Sequence, residues 1–286
     1  MNEPAMPQRG LKYKRLKKSL WTGLAIFVGI LIANLYNDVI KSRHTYKPRD
    51  YAEIVKSGVL RAVTEYNSIS FYVDADSING FHYALLQAFA KNKGLKIEIT
   101  PIMNFEERLK GIMEGRFDIL ANSTATTTDL QDSLLFTHPI LVSRQVLVQR
   151  KAENEDDTTF IRNHLDLANK TIYAAKGNPV IGRIHNLSNE IGDSIRVKEI
   201  EKYGPEQLLA LVSNGDIDYA VCDANMAKVL LEDLPNLDTS IDISFSQFYS
   251  WGVNKTAFTL LDTLNVWLDK FLKTPDFKKL QEKYLQ

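Results

Sequence analysis

One phrase occurs twice, and it restricts the fold more than any other feature of the chain. Glu114-Gly115-Arg116-Phe117-Asp118-Ile119-Leu120 and Asn214-Gly215-Asp216-Ile217-Asp218-Tyr219-Ala220 share a glycine, an aspartate three residues on and an apolar run. A glycine after a helical stretch ends the helix, and the apolar run that follows reads as a buried strand. Each copy belongs to a strand–helix alternation. Residues 59–64, 96–100 and 117–121 read as strands, with helices at 80–90 and 105–114 between them. Residues 171–175, 195–200 and 218–223 repeat the order, with helices from 180, at 205–214 and at 224–231. This order predicts two α/β units, each with a parallel sheet.

The remaining segments join the units. Residues 140–150 and 241–253 read as two extended crossings, 51–56 and 160–168 as further helices, and 257–271 and 275–284 as closing helices. Two lobes joined by two crossings make a hinged clamshell with a cleft. The expected lobes are about 51–143 with 250–286, and about 149–241.

Ahead of this body, residues 20–36 (LWTGLAIFVGILIANLY) carry no charge. Extended to 40, the run is long enough for a membrane-crossing helix. Arg9, Lys12, Lys14, Arg15, Lys17 and Lys18 precede it, which predicts a cytoplasmic tail over 1–18 and a signal anchor over 19–40. Residues 41–50 form a polar tether. The body is then expected in the periplasm, held to the inner membrane by a single pass. A cleaved signal peptide and a buried soluble helix are the alternatives; no A-x-A cleavage pattern follows the apolar run.

Charge and cysteine content exclude several functions. Removing the basic tail leaves 29 basic and 34 acidic residues, a net of −5. That is no footprint for nucleic acid. Cys222 is the only cysteine, and the five histidines form no metal-ligand pair, so no disulfide, metal or other cofactor is expected.

The stretch from Phe117 to Gln131 passes from an apolar strand into Ser123-Thr124-Ala125-Thr126-Thr127 and then a helix start, with Thr128 and Gln131 spaced as a capping box. Backbone N–H groups, hydroxyls and a helix N-terminus meeting beyond a strand end suit a polar ligand.

The body also resembles the family 3 extracellular solute-binding proteins. The matching phrases are Gly58-Val59-Leu60-Arg61-Ala62, Gly80-Phe81, Gly115-Arg116-Phe117-Asp118-Ile119, then Thr127, Phe136 and Pro139 at the family spacing, Lys176-Gly177, and Asp216 through Asp223. The run Tyr249-Ser250-Trp251-Gly252-Val253-Asn254-Lys255, with Leu264 to Leu268 and Lys283-Tyr284-Leu285, looks most like the branch forming the solute-binding half of the type F membrane-bound lytic murein transglycosylases. In those enzymes a lysozyme-like domain follows, whereas this chain stops at Gln286; transglycosylase activity is expected to be absent.

The resemblance implies a periplasmic receptor for a small solute, an amino-acid-like molecule or a peptidoglycan fragment, with a transporter or cell-wall enzyme as possible partner. It implies Asp223 as partner of a ligand ammonium and Glu65 at a position often acidic. The family's carboxylate-gripping arginine is replaced by Leu130, and an earlier threonine by Ala125. Ser123, Thr124 and Thr127 remain for polar groups. Arg144 from the hinge and Lys176 from lobe two are candidate charges. Asn178 offers amide donors, and Tyr66, Phe71 and Tyr72 are candidate cleft walls. Two alternatives stay open: an adaptor that keeps the fold without a ligand, and a dehydratase-like enzyme.

Overall fold

The computed structural model describes residues 46–285, and the body from Lys47 onward is one compact unit. The expected tail and anchor, and residues 41–45 of the tether, lie outside the described residues. Among the described residues no helix is long and apolar enough to cross a membrane.

The first part of the chain runs α1 (Tyr51–Ser57), β1 (Val59–Thr64), β2 (Tyr72–Asp74), β3 (Ser77–Asn79), α2 (Phe81–Lys93), β4 (Lys96–Pro101), α3 (Phe105–Met113), β5 (Ile119–Ala125), α4 (Thr128–Gln131), β6 (Leu134–Phe136) and β7 (Leu141–Ser143). It then enters the second lobe as β8 (Gln145–Arg150), β9 (Thr171–Ala175), α5 (Val180–Ile191), β10 (Arg196–Ile200), α6 (Pro205–Asn214), β11 (Ala220–Asp223), α7 (Ala224–Leu230) and β12 (Leu237–Asp238). The return is β13 (Gln247–Asn254), α8 (Phe258–Phe271) and α9 (Pro275–Tyr284).

The two sheets have matching plans. In the first the order is β4-β1-β5-β13-β6, with β4, β1 and β5 parallel and β13 antiparallel to β5. In the second it is β10-β9-β11-β8-β12, with β10, β9 and β11 parallel and β8 antiparallel to β11. The incoming strand of each lobe therefore closes its sheet beside the last parallel strand. Trp251 on β13 is fully buried in the same core as Phe81, Leu85 and Phe89 of α2. Each such side chain contributes about 1.5–3 kcal/mol through burial.

The repeated phrase marks equivalent corners. Gly115 and Gly215 both have positive φ, 76° and 83°. The aspartates that follow pair with arginines: Asp118 with Arg49 and Arg61, and Asp218 with Arg150. Asp118 is buried, and its carboxylate also accepts from Arg61 N at 2.8 Å, which ties the chain ahead of α1 to β1 and β5.

Three local expectations change. The run 140–150 is two strands in different sheets, broken at Arg144, where the first crossing passes between lobes. Only Gln247–Asn254 of the second crossing is a strand. Residues 160–168 hold a single 3-10 turn, His164–Leu167, because Asn163 and Asp166 cap each other across one turn. The expected Thr128/Gln131 capping box is absent: Thr127 is the N-cap of α4, and its side chain makes no cap bond.

Candidate functional site

A cleft of about 570 Å³ lies between the lobes, lined by Glu65, Asn122 to Ala125 and Leu130 from the first and by Asn178 to Val180, Asp223 and Met226 from the second. The loops after β1, β5, β9 and β11 all contribute, so the cleft lies off the carboxyl ends of the parallel strands. Gln145 and Tyr249, on the two crossings, form its back and hydrogen-bond each other at 2.7 Å.

The first lobe presents a hydroxyl wall. Thr124 Oγ1 donates to Asn122 Oδ1 at 3.1 Å. Ser123 is oriented from behind. Trp251 Nε1–H donates to His82 Nδ1 at 2.9 Å, so the neutral imidazole carries its proton on Nε2. That nitrogen lies 3.0 Å from Ser123 Oγ and donates to it. Burial alone lowers the His82 pKa to about 3. The serine hydroxyl therefore accepts from histidine and keeps its own proton for an acceptor in the cleft. The same tautomer removes the lone pair that a general base would need, so Ser123 and His82 do not form a nucleophile–base pair.

The second lobe presents a carboxylate. Asp223 caps α7, with Oδ1 accepting from Asn225 N at 2.9 Å. Its Oδ2 is buried and makes no well-formed hydrogen bond, although the Ser143 and Tyr249 hydroxyls stand nearby. Burial pushes its pKa up against the pull of those hydroxyls. An ammonium placed here would supply the charge and donor that the oxygen lacks. Asn178, at the start of α5, accepts from Val180 N at 2.9 Å through its amide oxygen.

Glu65 is buried on the cleft floor against Arg108, 3.3 Å away. Burial raises the Glu65 pKa, with the Arg108 charge opposing and Glu206 adding to the rise. Arg108 also donates to the carbonyls of Ile102 and Met103, while its Nε is buried without an acceptor.

Of the residues singled out in the sequence, Glu65, Ser123, Thr124, Thr127, Asn178 and Asp223 come together in this cleft. Tyr66, Phe71, Arg144 and Lys176 do not line it. Tyr66 is 42% exposed and stands edge-on to Phe71, which packs on Tyr83. Arg144 pairs with Asp242 at the crossing, and Lys176 pairs with Glu201 at 3.0 Å, both at the surface. Arg108 and His82 had not been singled out. Arg108 carried a readable signal: with Phe105 and Ile112 it occupies the buried face of an amphipathic helix, where a cation needs a partner. Among the described residues no three His, Cys, Asp or Glu side chains converge as a metal site requires.

The fold matches that of known binding proteins. An ancestral arginine-binding protein bound to arginine superposes with a TM-score of 0.69 at 22% identity, covering 80% of this chain and 99% of that one. An ancestral amino acid-binding protein described as a precursor of cyclohexadienyl dehydratase gives 0.68 at 21%, covering 82% and 98%. The sequence places the chain more narrowly: residues 60–286 match the bacterial extracellular solute-binding proteins, family 3, and the chain belongs to that family. Among curated relatives, the membrane-bound lytic murein transglycosylase F of Pseudomonas fluorescens is 24% identical over 240 residues, 83% of this chain and 48% of its own length. The chain thus spans about half the length of that relative.

Proposed function

We propose that the two lobes close on a small polar solute and that the protein works as an extracytoplasmic binding or sensing module, without catalysis of its own. The observation that carries this reading is the pairing of chemistries across one cleft. The Ser123 hydroxyl, oriented by His82, lines one side of the cleft with Thr124 and Thr127, and the buried Asp223 carboxylate lines the other. A solute bridging the two would hold the lobes together, and a partner could read that closure. The solute is amino-acid-like or a fragment of peptidoglycan. Relatives named as arginine- and amino acid-binding proteins support the first, and the murein transglycosylase relatives support a link to cell-wall turnover. The apolar run at 20–36 supports attachment to the inner membrane with the body in the periplasm, beside a transporter or a cell-wall enzyme.

Thermal unfolding against a panel of amino acids, amines and muropeptides tests the reading. A binding solute at a hundredfold its Kd stabilises by about 2.7 kcal/mol, which a melting curve resolves. Asp223→Ala should abolish the shift. Flat curves with every solute would instead favour an adaptor that keeps the fold without a ligand. Leu130, buried in the cleft wall where the family resemblance puts a carboxylate-binding arginine, is the observation favouring that second reading.

A further inference from the structure

We infer that the cleft takes an amine whose neighbouring carboxyl is capped, an amino amide or the N-terminus of a short peptide, and discriminates against the free amino acid. This rests on the cleft being a solute site. Three independent features point to it.

The first is the fate of the cations. Among the described residues, Arg108 and Arg183 are the arginines in the lining, and no lysine joins them. Arg183 spends Nη1 and Nη2 on Glu190 and Nε on the Ile243 carbonyl. Arg108 spends Nη1 on two backbone carbonyls and Nη2 on Glu65. The N–H groups left on Arg183 flank Glu190, and those left on Arg108, Nε–H and one on Nη2, belong to a buried guanidinium already paired with Glu65. A carboxylate brought to it would also face Glu65.

The second is the balance of charge. Glu65, Glu106, Asp129 and Asp223 line the cleft against those two committed arginines. A cationic ligand is attracted to such a cleft and a second carboxylate is repelled. Of these acids, Asp223 has a buried, water-excluded oxygen, Oδ2, that has only the neighbouring Ser143 and Tyr249 hydroxyls beside it and no cation.

The third is the polarity of the hydroxyl wall. Trp251 and His82 together leave Ser123 with a proton to give and no protein acceptor among the described residues. That donor is neutral. It suits an amide carbonyl, whereas a buried carboxylate without a cation is costly. The ligand so specified carries an ammonium at Asp223 and a neutral acceptor at Ser123.

Isothermal titration of the full-length chain at pH 7.0 with matched pairs decides this: L-alaninamide against L-alanine, and L-lysinamide against L-lysine. An α-amino group is still largely charged there, its pKa being about 7.7–8.0. The expected result is at least tenfold tighter binding of the amide in a pair. Leu130→Arg should narrow or invert that preference by restoring a fork for the carboxylate. A free acid bound as tightly as its amide by the wild-type chain overturns the inference and leaves the solute site standing. An amide that fails to bind while some other class on the thermal panel does also overturns the inference alone. A panel flat throughout removes both the inference and the solute site. Should the arginine variant fail to fold, the wild-type ratio of the two affinities decides by itself.

Discussion

His82 controls Ser123 only while it stays neutral, and the fold holds it so. Its pKa is lowered from 6.5 to about 3 by burial. The unfolded chain binds a proton below pH 6.5 that the folded chain refuses until about pH 3. Stability from this group is therefore complete above pH 6.5 and lost as pH falls through that window. The slope is up to about 1.4 kcal/mol per pH unit for one proton. Urea unfolding between pH 7 and 4 should show this decline, and His82→Gln should flatten it while lowering stability at pH 7. A variant that declines as steeply as the wild type would contradict the assignment. The place of Asp223, between a strand end and a helix start, was legible from the sequence, while its pairing with an ammonium is what the family resemblance implies. The link from His82 to Trp251 was not: the two lie 169 positions apart, and nothing local to either names the other.

At the scale of elements, the twin glycine corners separate two costs. Both hold positive φ, so an alanine at either carries a left-handed penalty of about 1–2 kcal/mol. At Gly215 a Cβ would meet nothing nearer than Arg150 Nη1 at 3.8 Å, whereas at Gly115 it would lie 2.2 Å from the backbone of Lys47 and Pro48. Gly115→Ala should therefore destabilise by clearly more than Gly215→Ala in chemical denaturation, and equal losses would refute the close approach. Asp118→Ala should cost more than either in a similar experiment, about 3–5 kcal/mol, because it leaves Arg49 and Arg61 without their buried acid. The repeated phrase made this sheet plan readable. The break at Arg144 was not readable, since an apolar run of extended residues looks the same whether it stays in one sheet or passes between two. The 160–168 segment misled for a related reason. Its apolar spacing fits a helix, but Asp157 accepts from the Thr159 and Phe160 amides and fixes a turn there instead.

For the whole molecule, the lobes touch across the mouth of the cleft. Ser68 N donates to Glu206 Oε2 at 2.8 Å, from the first lobe to the start of α6 in the second. Gly177 lies so near Glu106 that a Cβ would come within 2.8 Å of its side chain. These contacts describe a closed arrangement whose hinge is the pair of crossings. Glu206→Ala should favour opening, seen as a larger radius of gyration by small-angle scattering and weaker solute binding through faster release. An unchanged radius would mean that this bond does not hold the lobes. That two lobes would enclose a cleft followed from the doubled α/β order. That Arg108 would already be spent inside it did not, because Glu65 and Arg108 lie 43 positions apart and meet only through packing; Arg183 and Glu190, two turns apart on α5, are the pair a helical reading relates.

The account stands or falls on whether one solute engages both lobes in this cleft. Amide hydrogen exchange of the full-length chain, with and without saturating L-lysinamide, measures that directly. The predicted result is slowed exchange at Asn122–Thr128 in the first lobe and at both Asn178–Val180 and Asp223–Met226 in the second. Slowed exchange in one lobe only, or none in either, would contradict it.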